Sequence, residues 1–170
     1  GMVDACRVLA PEATAILTGS TFKATAQVFE AGMTDLTPWL DVHPDLIGQF
    51  GIGPQGTDAK AAPEAFTWQS ATGDTALEDT AAPGWDTYAL ELTAPSTGTY
   101  QLLARFSLDG GQTWTTCDLT GSEDGYSPED AVLLETGDDP CEPNPCTEGG
   151  QSCSADGTMA IVAIGPGTCA

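Results

Sequence analysis

Apolar and polar residues alternate with a period of two in several short runs, and no run carries the 3.6-residue stripe of an amphipathic helix. Tyr100, Leu102, Ala104 and Phe106 fall on one side and Gln101, Leu103, Arg105 and Ser107 on the other, which predicts a strand with one wholly apolar face. The same alternation runs through Phe22 to Phe29, around Leu46 to Ile52, through Phe66 to Ala71 and through Tyr88 to Thr93. Shorter runs at Cys6 to Leu9, Ala15 to Leu17 and Trp114 to Asp118 read as further strands, while Pro128 to Leu134 reads either as one helical turn or as a final strand. Gly19-Ser20, Gly53 to Gly56, Pro83-Gly84 and Pro95 to Gly98 supply the turns between them. The expectation is an all-β fold of two antiparallel sheets packed face to face.

Composition narrows the class. The 170 residues are 41% hydrophobic, enough for one substantial core and a small appendage and too apolar for a disordered acidic tail. Asp and Glu number 25 against four cations, Arg7, Lys23, Lys60 and Arg105, for a net charge of −21. Such a surface repels phosphates, so nucleic acid and anionic membrane surfaces are not expected partners. No run approaches the roughly 20 apolar residues of a spanning helix.

Six cysteines divide into Cys6 and Cys117 within the strand-rich region and Cys141, Cys146, Cys153 and Cys169 in the last 30 residues. With no Cys-x-x-Cys pair and only one histidine, His43, disulfides in an oxidising, extracytoplasmic compartment fit better than a zinc site.

Local motifs refine the picture. Pro95 to Tyr100 places a turn just before a strand-opening tyrosine and resembles the tyrosine corner of immunoglobulin-like sandwiches, where the hydroxyl bonds back to the turn backbone. Ser107 to Trp114 fits Ser-x-Asp-x-Gly-x-Thr-Trp and resembles an Asp-box, a hairpin known from sialidase propellers and other β-folds. In it the Asp and Thr side chains tie down the turn while the Trp packs beneath. No second copy occurs, so a propeller and sialidase activity do not follow.

A wider resemblance covers roughly residues 4 to 136. Cys6 to Pro11, Gln27 to Gly32, Phe50 to Asp58, Phe66-Thr67-Trp68 and Thr99 to Tyr126 resemble, in order, an immunoglobulin-like accessory domain of secreted bacterial proteins, found beside exported amylases and nucleases. The resemblance implies a sandwich whose Cys6 and Cys117 are joined. It also departs from the family pattern: Ala5 and Ala10 replace opening tryptophans, and Thr34 to Asp45 enlarges one loop. After the linker Gly137 to Pro140, residues Cys141 to Cys153 resemble the opening of an EGF-like module, which by analogy implies the pairs Cys141–Cys153 and Cys146–Cys169. The domains expected are therefore 1–136, an immunoglobulin-like sandwich, and 137–170, a small disulfide-stapled tail in which Met159 to Ile164 can add a strand.

Candidate chemistry is sparse. His43 lies in a loop without a nucleophile motif, and the carboxylates are too numerous to single out a hydrolytic pair. Trp39, in the enlarged loop, and Trp85, after Pro83-Gly84, are the candidate stacking platforms for a polysaccharide, whereas Trp68 and Trp114 read as packing residues. Asp109, Asp118, Glu123 and Asp124 offer hard oxygens for calcium without the order of an EF-hand, and no other cofactor is indicated. The expected function is that of a non-catalytic extracellular or cell-surface module of a bacterium, a spacer or adhesion domain contacting a polysaccharide or a surface protein. A carbohydrate-binding module is the alternative, and a secreted hydrolase the third reading.

Overall fold

The computed structural model of the chain describes residues 1–9, 11, 14–37, 39–41, 43–76, 83–121, 126–138, 151–153 and 160–162. The chain divides into two compact units, Gly1–Thr136 and Gly137–Ala170. Among the described residues there is no α-helix, only short 3-10 turns, and no helix is long and apolar enough to cross a membrane.

The first unit is all-β and mostly antiparallel. One sheet is built from β1 (Ala5–Leu9), β3 (Thr21–Phe29), β7 (Asp86–Thr93) and β6 (Thr72–Gly73), in that order. The other runs β2 (Ala15–Leu17), β10 (Val132–Gly137), β8 (Gly98–Ser107), β4 (Ile47–Pro54) and β5 (Thr67–Ser70). Strand β9 (Thr115–Cys117) pairs with Ala104 to Phe106 of β8, on the edge that β10 occupies lower down at Gly98 to Leu102. The Pro128-to-Leu134 segment does both things its composition allows. Pro128–Asp130 forms a 3-10 turn, capped by the Ser127 hydroxyl, and Val132 then starts β10.

Alternation decides which face each side chain takes. Cys6, Val8, Ala24, Ala26, Val28, Tyr88 and Leu92 from the first sheet meet Phe50, Leu102, Ala104, Phe106, Val132 and Leu134 from the second in one buried core. The opposite face of β8 is not simply solvated. Leu103 is fully buried under a second cluster of Ala59, Phe66 and Ala131, with Trp68 and Tyr126 packed against it. The covering segments are pinned together where the Ala59 amide donates to the Tyr126 hydroxyl. Close approach requires glycine: a Cβ on Gly51 would sit 2.5 Å from the Trp68 ring, and one on Gly53 2.5 Å from Phe66.

Cys6 and Cys117 are joined, with Cα atoms 5.5 Å apart, so the disulfide links β1 of one sheet to β9 of the other. Beside it the Val8 amide donates to the Asp118 carbonyl. Tyr100 differs from the expected corner: its hydroxyl reaches back to the Ser96 hydroxyl, 3.1 Å away, rather than to the turn backbone.

In the second unit β11 (Gln151–Cys153) and β12 (Ala160–Val162) form an antiparallel pair. The expected pairings Cys141–Cys153 and Cys146–Cys169 rest on side chains outside those described.

Two expectations follow. The disulfide spans 111 residues, and on the chain-entropy account its loss in a Cys6→Ala/Cys117→Ala variant lowers stability by about 4–5 kcal/mol. Urea unfolding checks this, and an unchanged midpoint would refute it. Tyr88, edge-on to Phe106, has its phenol pushed up to about 12 by burial and the nearby Asp86 carboxylate. Because the phenol ionises less readily in the folded chain than in the unfolded one, its contribution is intact below about pH 10 and is lost as pH rises toward about 12. Absorbance titration should find Tyr88 still protonated above the range in which an ordinary tyrosine ionises.

Candidate functional site

Ser107 to Trp114 forms a turn closed by its own side chains. The Ser107 hydroxyl donates to Asp109 Oδ1 and accepts from the Gly111 amide. Asp109 Oδ1 also accepts from the Gln112 and Thr113 amides, and the Thr113 hydroxyl donates to Oδ2 at 2.7 Å. Gly110 and Gly111 take the positive φ that the turn needs. The Gly1 amine, the Thr113 donors and the Ser107 hydroxyl hold the Asp109 carboxyl well below the usual carboxylate range.

Asp118, at the other end of β9, is fully buried. Its Oδ1 accepts from the Thr120 and Gly121 amides and its Oδ2 from the Ser127 amide. The two aspartates expected to share a calcium ion therefore belong to separate turns, each with its oxygens engaged by donors of its own loop. Glu123 and Asp124 lie outside the described residues, and among the described residues no three His, Cys, Asp or Glu side chains gather as a metal site. His43 stays within its own turn, where Nδ1 accepts from the Asp45 amide.

The sequence gives no sign of what happens on the outer faces of the two sheets. Arg105 lies between two tryptophans, 3.9 Å from the Trp68 ring and 4.1 Å from the Trp114 ring. Its Nε and Nη2 both donate to Oε1 of Gln49, its cross-strand neighbour on β4. Burial lowers its pKa to about 10. The other sheet repeats the device: Arg7 donates through Nε and Nη2 to Oε1 of its cross-strand neighbour Gln27 and lies 5.3 Å from the Trp85 ring, which also packs on Phe29. Lys23 pairs with Asp74, whose carboxyl it holds below the ordinary range, and Lys60 sits over Tyr126. All four cations are thus engaged within the fold.

Of the two candidate platforms, Trp85 is half-buried and stacked, whereas Trp39 is 61% exposed. Its loop, residues 31–45, is braced rather than loose. Buried Thr34 accepts from the Glu30 amide and donates to the Gly84 carbonyl at 2.7 Å, and the Asp41 amide donates to the Asp86 carboxylate. Within the turn, Asp41 accepts from the Thr37 amide and hydroxyl, and the Thr37 hydroxyl accepts from the Trp39 amide. Leu40 packs inward over Gly73, which leaves Trp39 and Leu36, 65% exposed, facing solvent. The two braces flank Trp85, but its ring is given over to Phe29 and Arg7.

No family model matches the chain, and no curated protein matches it.

Arg105→Lys keeps the charge but loses the planar fork to Gln49 and the double stacking. It is expected to cost about 1–3 kcal/mol in denaturant unfolding and to change tryptophan emission. An unchanged midpoint and spectrum would show the stack to be incidental.

Proposed function

We propose that the chain is a non-catalytic extracellular module of the immunoglobulin-like sandwich type, a spacer or adhesion domain of a secreted or surface-anchored bacterial protein. Reading β1, β3, β7 and β6 as strands A, B, E and D, and β10, β8, β4 and β5 as G, F, C and C′, reproduces the strand order of that architecture. The disulfide departs from the B–F position usual in antibody domains, joining the A-type strand to β9 instead. A disulfide between sheets fits an oxidising compartment. The tail, with its resemblance to an EGF-like module, fits the same setting.

The observation that carries the adhesion reading is the braced loop 31–45, which holds Leu36 and Trp39 out in solvent from a cross-linked scaffold. Exposed apolar side chains on a preorganised loop lose little entropy on contact. Beads coated with the chain are expected to be retained on cell layers, and retention is expected to fall severalfold with Leu36→Ser/Trp39→Ala. Equal retention of the two would remove the loop as the contact surface. The exposure of Trp39 also favours a second reading, sugar stacking. Quenching of emission by a soluble glucan, absent in Trp39→Ala, would move the function there.

A further inference from the structure

A cleft of about 300 Å³ opens between the sheets near β5. On that side β6 is only two residues long and pairs with β7 at Tyr88 and Ala89, and among the described residues no strand pairs with the far end of β7 there. In β5, Thr67 lies opposite Ile52 and Gln69 opposite Phe50, so both side chains take the core side of the sheet while Trp68 takes the other. They reach the cleft across from Thr93 and Pro95, with Ile52 and Tyr100 forming its apolar wall. The Tyr100 ring is held in place by its hydroxyl contact with Ser96 and by Gly98, where a Cβ would come within 3.2 Å of the ring.

The lining is uncharged throughout, in a chain with a net charge of −21. An apolar wall with one fixed aromatic ring and a rim of one hydroxyl and one amide matches a ligand that has apolar C–H faces and a periphery of hydroxyls. A cationic ligand would find no counter-charge in the cleft, and an anionic one would be repelled by the surrounding surface.

We propose that this cleft binds a neutral saccharide unit, its ring against Tyr100 and Ile52 and its hydroxyls bonded to Thr67 and Gln69. The proposal rests on the reading of the chain as a non-catalytic module and adds a ligand class and a site away from Trp39. An extended peptide added to the edge of β5 is the competing occupant, but nothing in the lining selects it over the saccharide.

The test is amide NMR of the intact chain with neutral cello-, malto-, xylo- and chito-oligosaccharides, an oligogalacturonate and an uncharged extended peptide. At least one neutral oligosaccharide is expected to shift the signals of Thr67, Gln69, Thr93 and Tyr100, and the oligogalacturonate to leave them unmoved. Thr67 and Gln69 are exposed, so Thr67→Ala and Gln69→Ala should fold, and each is expected to weaken binding roughly tenfold. Trp39→Ala should bind as the parent does. The proposal is overturned if no neutral oligosaccharide moves these signals, if shifts are confined to residues 37–41, if both cleft variants bind like the parent, or if only the peptide perturbs β5. Bead retention reads the loop and NMR reads the cleft, so either can fail without the other.

Discussion

The bond between Cys6 and Cys117 fixes how the two sheets face each other, and much of the remaining structure is arranged around it. Both sulfurs are fully buried in the shared core, where β1 contributes Val8 and β9 leads directly into Asp118. The Val8 amide bonds the Asp118 carbonyl, and the Asp118 side chain then gathers amides from Thr120, Gly121 and Ser127. That buried carboxylate turns the chain back toward Ala131, which with Phe66 and Ala59 covers Leu103. One covalent tie between sheets is thus continued as a hydrogen-bonded turn and ends as a second small core. Removing the Asp118 acceptors would leave the buried Gly121 amide unpaired, which costs more than the bond itself contributes.

The arginines extend this logic to the solvent sides. Each lies opposite a glutamine in register, bonds that amide through two nitrogens, and lays its guanidinium on tryptophan. A planar guanidinium suits this role because it satisfies an acceptor in its plane while its faces stack. Gly51 lets the Trp68 ring lie close over β4, so the stack depends on an absent side chain as much as on those present. Three of the four tryptophans are taken up this way, and Trp39 is left as the exposed one.

The strands were legible because alternation is local: β3, β4, β7 and β8 follow from residues that are neighbours in sequence. The turn from Ser107 to Trp114 was legible for the same reason, since the bonds from Ser107 and Thr113 to Asp109 fall within eight residues. The arginine stacks were not, because Arg105 meets Gln49 and Trp68 across 56 and 37 residues of chain, and only strand register places them together. Trp85 reads as a platform from its turn, yet Phe29 and Arg7 reach it from strands far upstream. The cleft is harder still to read, since no motif marks its lining.

Charge sets the last constraint. With every cation engaged inside the fold, the carboxylates repel one another across the surface, and the repulsion reaches farther as salt falls, the screening length being about 10 Å at 0.1 M. Repulsion favours the expanded chain, whereas the disulfide penalises that same chain by restricting its freedom. The two terms act on the unfolded state in opposite directions, so the covalent tie matters most where screening is weakest. The same field bears on ligands. An acidic surface deters anions before they reach any pocket, and a cleft without charge then has no electrostatic means of choosing among what arrives. Its selectivity must come from shape and hydrogen bonds, the terms by which a hydroxyl-rich neutral ligand is recognised.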